Sequence, residues 1–341
     1  MIRLLRGMTG IGLLAAAAAV APGFPAGLAS GAELQNLEVS ARPIANFRIG
    51  RDDTRFGPLE FVGGLELSSS SRDLGAMSAI RFLTPGGDFI GVADTGFWYF
   101  GSVLRDAQMK PTGFGNFRML PMVDRSGRAS NRKWEVDAEG LAVKDGIATV
   151  GFERDHRIAN FRIDPGAMDA LAGEIDFLIP KGELRQNRGF ETVAHSLPES
   201  RHKGSLVIVS EKSLDTQGNI FGAILGGPGN GVFTVKRSGE FDITDGAFLP
   251  GGDLLLLERS FSMASGVRMR LRRIAGASIA KGKVANGPVL FTADMSYQID
   301  NMEGLDAWTR ADGAQMVSMV SDDNHSILQR SLYLEFILHD D

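Results

Sequence analysis

The feature that most restricts this chain is a unit that recurs along it at nearly constant spacing. Each copy has an acidic or small turn, a short apolar strand, a second turn, and a second apolar strand ending in an acid. Asp137-Ala138-Glu139-Gly140-Leu141 leads to Ala148 through Glu153, and Gly189-Phe190-Glu191-Thr192 leads to Leu206 through Glu211. Thr244-Asp245-Gly246-Ala247 leads to Leu254 through Glu258, and Asn301-Met302-Glu303-Gly304 leads to Met316 through Asp322. The leading acids Glu139, Glu191, Asp245 and Glu303 are separated by 52, 54 and 58 residues. Ahead of them, Gly75 to Ile80 leads to Phe89 through Asp94. A period of this size with several short strands per unit marks the blades of a β-propeller.

Local signals agree with an all-β propeller of five or six blades of antiparallel strands. Thr84-Pro85-Gly86-Gly87-Asp88 and Leu249-Pro250-Gly251-Gly252-Asp253 read as hairpin turns between paired strands. Arg157 to Ile163 and Arg268 to Ile274 alternate apolar and polar residues, as half-buried third strands should. Five units are visible. Residues 44–67 either complete the last blade and close the ring or join part of 100–136 in a sixth blade. Helical periodicity is scarce, with one short turn expected at Pro165 to Leu171. The 43 glycines fit a chain full of tight turns. A β-sandwich would not explain an acid recurring at matched strand positions.

The N-terminus reads as a secretory signal peptide over residues 1–32. Arg3 and Arg6 precede an 11-residue apolar and glycine run from Ile11 to Ala21, and Ser30-Gly31-Ala32 offers a small-residue cleavage site. That run is too short to span a bilayer, so no membrane span is expected after cleavage. The expectation is a single domain over 33–341, periplasmic or secreted. With no cysteine, it must hold together by core burial and has no lipid-anchoring thiol. The net charge of −5 becomes −7 without Arg3 and Arg6, which argues against nucleic acid as a partner.

In a propeller the innermost strands line a central channel, so acids at matched points converge on one rim. Glu139, Glu191, Asp245 and Glu303 form one such set; Asp94, Glu153, Glu211, Glu258 and Asp322 form a second, at the ends of the next strands. Clustered carboxylates are tolerated when a hard cation or basic residues neutralise them, and oxygen-only ligands favour Ca²⁺ over Zn²⁺. The expected metal ligands are Glu139, Glu191, Asp245, Glu303, Asp322 and Asp323. Arg154, Arg188, Lys212 and Arg259 are candidates to hold an anionic group. Glu191, Glu303 and His325 are candidates for proton transfer. The structural alternative is that these acids cap turns and the bases bridge blades. The sequence carries no Gly-x-Ser-x-Gly elbow and no His-Glu-x-x-His motif.

These segments resemble the phytase-like family described as having esterase-like activity. The resemblance rests on Asp137 to Leu141, Asn187 to Glu191, Ile243 to Leu249 with Leu257-Glu258-Arg259, and Asn301 to Leu305 with Val320 to Asn324, and spans roughly residues 60 to 337. It implies a bacterial, exported propeller hydrolysing phosphate or carboxylic esters with Ca²⁺. The expected partner is then a small anionic ester or phosphoester, bound by a monomer. Gly75-Ala76-Met77-Ser78 departs from the family's usual first turn. The rival reading is a non-catalytic propeller that binds a ligand or protein.

Overall fold

The second strands of the repeat are apolar or small on both of their alternating faces over most of their length, as a strand buried on both faces should be. In the computed structural model, which describes residues 33–125, 128–130, 132–184, 189–227 and 229–340, each such strand lies between two neighbouring sheets. Leu254 and Leu256 face one core and Leu255 and Leu257 the next, following the two-residue period of a strand. Five separate apolar cores result, one in each seam between sheets.

The sheets are the five blades of a β-propeller. Blade 1 runs outward through Met77–Phe82, Asp88–Ala93, Phe97–Arg105 and Pro111–Pro121, with Gln35–Asn36 on its outer edge. Blade 2 comprises Ala138–Lys144, Ile147–Phe152, Arg157–Arg162 and Asp169–Glu174. Blade 3 comprises Phe190–His195, Leu206–Leu214, Ile220–Leu225 and Gly231–Val235, edged in parallel by Val284–Ala285. Blade 4 comprises Asp242–Phe248, Leu254–Ser262, Gly266–Ile274 and Val289–Ala293. The five inner strands touch in a closed ring.

Blade 5 is assembled from both ends of the chain. Asn301–Thr309, Gln315–Asp322 and Ser331–Leu338 are followed outward by Leu59–Ser68 and Ser40–Ile44. The strands expected within 44–67 therefore complete the last blade rather than start a sixth, and 100–136 supplies the outer strands of blade 1. Both hairpin turns and both third strands fall where the sequence places them. The helical turn expected at Pro165 to Leu171 does not form. Its second half enters the outer strand Asp169–Glu174, because a blade gains more from a paired edge than from an isolated turn. The α-helix among the described residues is the four-residue Lys133–Val136. None of the described helices is long and apolar enough to cross a membrane; residues 1–32, and with them the signal peptide reading, lie outside the described residues.

Beside this closure, a buried charge pair locks blade 5 to blade 1. The Arg105 guanidinium donates to both oxygens of Glu335 at 2.7 Å, and Tyr333 donates to Glu335 Oε1 at 2.6 Å. Arg105 also lies 5.4 Å from the Trp308 ring centre. Removing one partner of such a pair leaves an uncompensated charge in the interior. Arg105→Ala should therefore lower unfolding free energy by about 3–5 kcal/mol in urea titrations. Adding Glu335→Leu should recover part of that loss. A cost below about 1 kcal/mol for the single variant would show that the pair does not lock the seam.

Candidate functional site: a carboxylate mouth on the propeller axis

Every inner strand carries a β-bulge at the same level. The register slips between Met77 and Ala79, between Phe190 and Thr192, between Ile243 and Asp245, and between Met302 and Gly304; in blade 2 it slips opposite Glu139. The extra residue in blades 1 to 5 is thus Ser78, Glu139, Glu191, Thr244 and Glu303. A bulge re-aims the side chain of its extra residue, here at the level where the inner strands begin. The glycine after the acid is needed because the inner strands crowd each other. A Cβ on Gly140 would lie 2.5 Å from the Phe190 carbonyl oxygen, and one on Gly304 would lie 2.6 Å from Val320 Cγ2.

The ends of the second strands come to the same level. Asp94, Glu153 and Glu211 donate backbone N–H groups to the carbonyls of Ala76, Asp137 and Gly189, just before the inner strands. Asn301 pairs with Asp322, and Asp242 with Arg259. Two carboxylate groups result. Asp94, Asp137 and Glu139 offer oxygens all within 4.8 Å of one another, and so do Glu153, Glu191 and Glu211. Glu303 and Asp322 extend the cluster on the blade 5 side, and repulsion links both to the others.

Electrostatics there are dominated by loss of water and by like charge. Burial, then Asp137 and Glu153, hold Glu139 well above the usual carboxylate range. Burial, then Glu139 and Glu211, do the same to Glu191. Glu303 is pushed up to about 8 by burial although Arg259 opposes the shift. Burial raises Glu153 and Asp322 to about 7, and Asp137 to about 6. Among the described residues, three cations answer this charge. Arg259 stands 3.3 Å from Glu303, Arg154 stands 2.8 Å from Asp137, and Lys133 bonds Asp94 and lies 3.7 Å from Asp137. Oxygen-only donors gathered this closely suit a hard divalent cation such as Ca²⁺.

The structure brings Glu139, Glu191 and Glu303, with Asp94, Glu153, Glu211 and Asp322 of the second set, to this mouth beside Arg154 and Arg259, and places Asp245, Glu258, Asp323, Lys212 and His325 differently. Asp245 is one residue past the bulge, which Thr244 occupies. Both Asp245 oxygens accept from Arg81 at 2.8 Å, and Oδ2 also accepts the Leu305 N–H at 2.8 Å. That buried pair crosses the channel between blades 1 and 4, so Asp245 is a structural anion. Glu258 is likewise one residue short of the strand-end position, which Arg259 holds; it is buried against Arg270 and Arg272. Asp323 closes a turn and ties it to blade 1, accepting from Ala76 N at 3.2 Å, His325 N at 3.0 Å and Ser331 Oγ at 2.6 Å. His325 is exposed on that turn with positive φ. Lys212 bonds Asp242 at 2.6 Å. Arg188 lies outside the described residues.

Sequence reading passed over Asp137 and Lys133 as site residues. Asp137 precedes the repeated acid by two positions in blade 2 alone, and Lys133 sits on a helix too short to show a period.

Over residues 72–325 the sequence matches the phytase-like family, described by the esterase-like activity of phytase. The chain belongs to this family. Among solved structures, the PQQ-bound form of aldose sugar dehydrogenase from Streptomyces coelicolor aligns with this phytase-like chain at a TM-score of 0.45 and 16% identity, over 83% of this chain and 99% of that one. Glutaminyl cyclase from Myxococcus xanthus aligns at a TM-score of 0.38 and 12% identity, over 83% of this chain and 97% of that one. At these identities the likeness concerns the fold alone. No curated protein sequence matches the phytase-like chain.

The raised carboxyls fix the sign of a pH effect. A carboxyl with a higher pKa folded than unfolded holds its proton more tightly in the native state. Its stabilisation is complete below the ordinary carboxylate range and is lost as pH rises through the folded value. Metal-free protein should therefore melt at progressively lower temperature from pH 5 to pH 8, the window spanned by Asp137, Glu153, Asp322 and Glu303. Ca²⁺ should reverse the trend. Glu191→Gln, which removes a buried like charge, should raise the metal-free melting temperature at pH 8 and blunt the response to Ca²⁺. A melting temperature flat over this range would contradict the electrostatic account.

Proposed function

We propose that the carboxylate mouth is the active site of an exported, Ca²⁺-dependent hydrolase of phosphate or carboxylic esters. The observation carrying this reading is the convergence of acids from four blades on one level of the axis, in two groups of three, with Arg259 beside them from the remaining blade. Family membership supports the same chemistry. Export rests on the composition of residues 1–32.

Asp94, Asp137 and Glu139 form one set of ligands, and Glu153, Glu191 and Glu211 the other; Glu303 and Asp322 complete the charge. Bound Ca²⁺ would supply a Lewis acid for the ester or phosphoryl oxygen and make water easier to deprotonate. Arg259, partly exposed and anchored by Glu303, holds the anionic or carbonyl oxygen of the substrate. Arg154 does the same on the blade 2 side. Glu303 is the proton carrier. It passes a proton to the leaving oxygen as the ester bond breaks, while water adds to phosphorus or carbon and gives up a proton that returns to Glu303. The Arg81–Asp245 pair spans the channel, so the substrate enters from the mouth.

Turnover of nitrophenyl phosphate and nitrophenyl acetate should depend on Ca²⁺ and stop with EDTA. Glu191→Gln should reduce kcat by about 100-fold or more while the fold persists. Arg259→Met should mainly raise KM, by roughly 10-fold or more, as expected when a charged hydrogen bond is lost. Metal-dependent melting without turnover of either ester would point instead to a binding propeller with a structural cation.

A further inference from the structure

The connections between second and third strands all rise from the carboxylate mouth, and they differ sharply around the ring. In blade 2 the connection is Arg154-Asp155-His156, and in blade 3 it runs through Lys212, Asp215, Gln217 and Asn219. In blades 4 and 5 the turn carries bare apolar side chains among its polar ones. Phe261 is 62% exposed and Met263 94%; Ile327 is 101% exposed and Leu328 87%. Met295, on the linker into blade 5, packs over the blade 4 turn, since a Cβ on Gly266 would lie 2.9 Å from its Cγ. Large apolar side chains so fully in water, on adjacent loops of one face, mark a surface that is covered in use.

Continuity with the mouth chooses the occupant. Arg259 and Phe261 are two residues apart on one strand, hence on the same face of it, and Arg259 reaches Glu303 of blade 5. Ile327 and Leu328 follow Asp322 within one connection. The apolar loops therefore begin where the charged site ends.

We infer that blades 4 and 5 bind the apolar arm of an amphiphilic ester whose head enters the carboxylate mouth. The inference rests on the proposed hydrolase site and adds its substrate class. The polar loops of blades 2 and 3 would face the head-group side.

The test is calorimetric and independent of turnover. Octylphosphonate, kept below its aggregation concentration with Ca²⁺ present, should bind the full-length protein roughly 50-fold more tightly than methylphosphonate, the gain for about three methylenes leaving water. The paired substitutions Ile327→Ser with Leu328→Ser, and Phe261→Ser with Met263→Ser, should each cut that preference severalfold, and all four together should abolish it. Equal binding of the two phosphonates, or a preference that survives all four substitutions, overturns the inference. Sedimentation with neutral phosphatidylcholine vesicles without discrimination between the phosphonates would overturn it in favour of a membrane surface. A side-chain-dependent preference without ester turnover would uphold the binding arm and reject the hydrolase reading.

Discussion

The architecture depends on crowding at the axis. Five inner strands packed against one another leave no room for a Cβ after the bulged residue in blades 2 and 5, and the chain answers there with Gly140 and Gly304. The bulge frees one side chain per blade from the flat alternation of its strand. Because all five bulges sit at one level, whatever residue occupies them is delivered to a common mouth. Packing therefore creates the geometry, and the choice of Ser78, Glu139, Glu191, Thr244 and Glu303 gives it a chemical character.

That character is uneven around the ring. Blades 2 and 3 each bring a bulge glutamate and a strand-end glutamate, and blade 5 brings Glu303 and Asp322. Blade 1 offers serine and aspartate, and blade 4 offers threonine and arginine. The cluster is thus open to an anion on one sector and able to hold cations on the others. Charge inside the channel is handled separately. Arg81 meets Asp245, and Asp306 accepts from Phe82 N at 2.7 Å, so the interior of the ring is satisfied without the mouth.

The fold was readable because its repeat is written in two independent codes, the spacing of the acids and the doubly apolar second strands. Ring closure was not settled by that repeat, because the strands of residues 44–67 could equally have opened a sixth blade. The site was readable at the level of blades but not of single residues. Aligning blade 4 by its first acid chooses Asp245 and Glu258, whereas the bulge register chooses Thr244 and Arg259. A slip of one residue turns a strand side chain to the opposite face, which is enough to exchange a channel-crossing ion pair for a mouth residue. The partner that claims Asp245, Arg81, lies far away in sequence, so no local pattern announces it.

The mixed origin of blade 5 has a consequence for how the molecule is made. Leu59–Ser68 emerges from the ribosome before blades 1 to 4, but its neighbour Ser331–Leu338 emerges only after them. Until then the early strand has no partner at that edge, and the seams on either side of the gap stay wet. The toroid gains its last cooperative contacts only when Ser331–Leu338 is present, a topology that folds slowly and favours delaying commitment until both halves of blade 5 can meet.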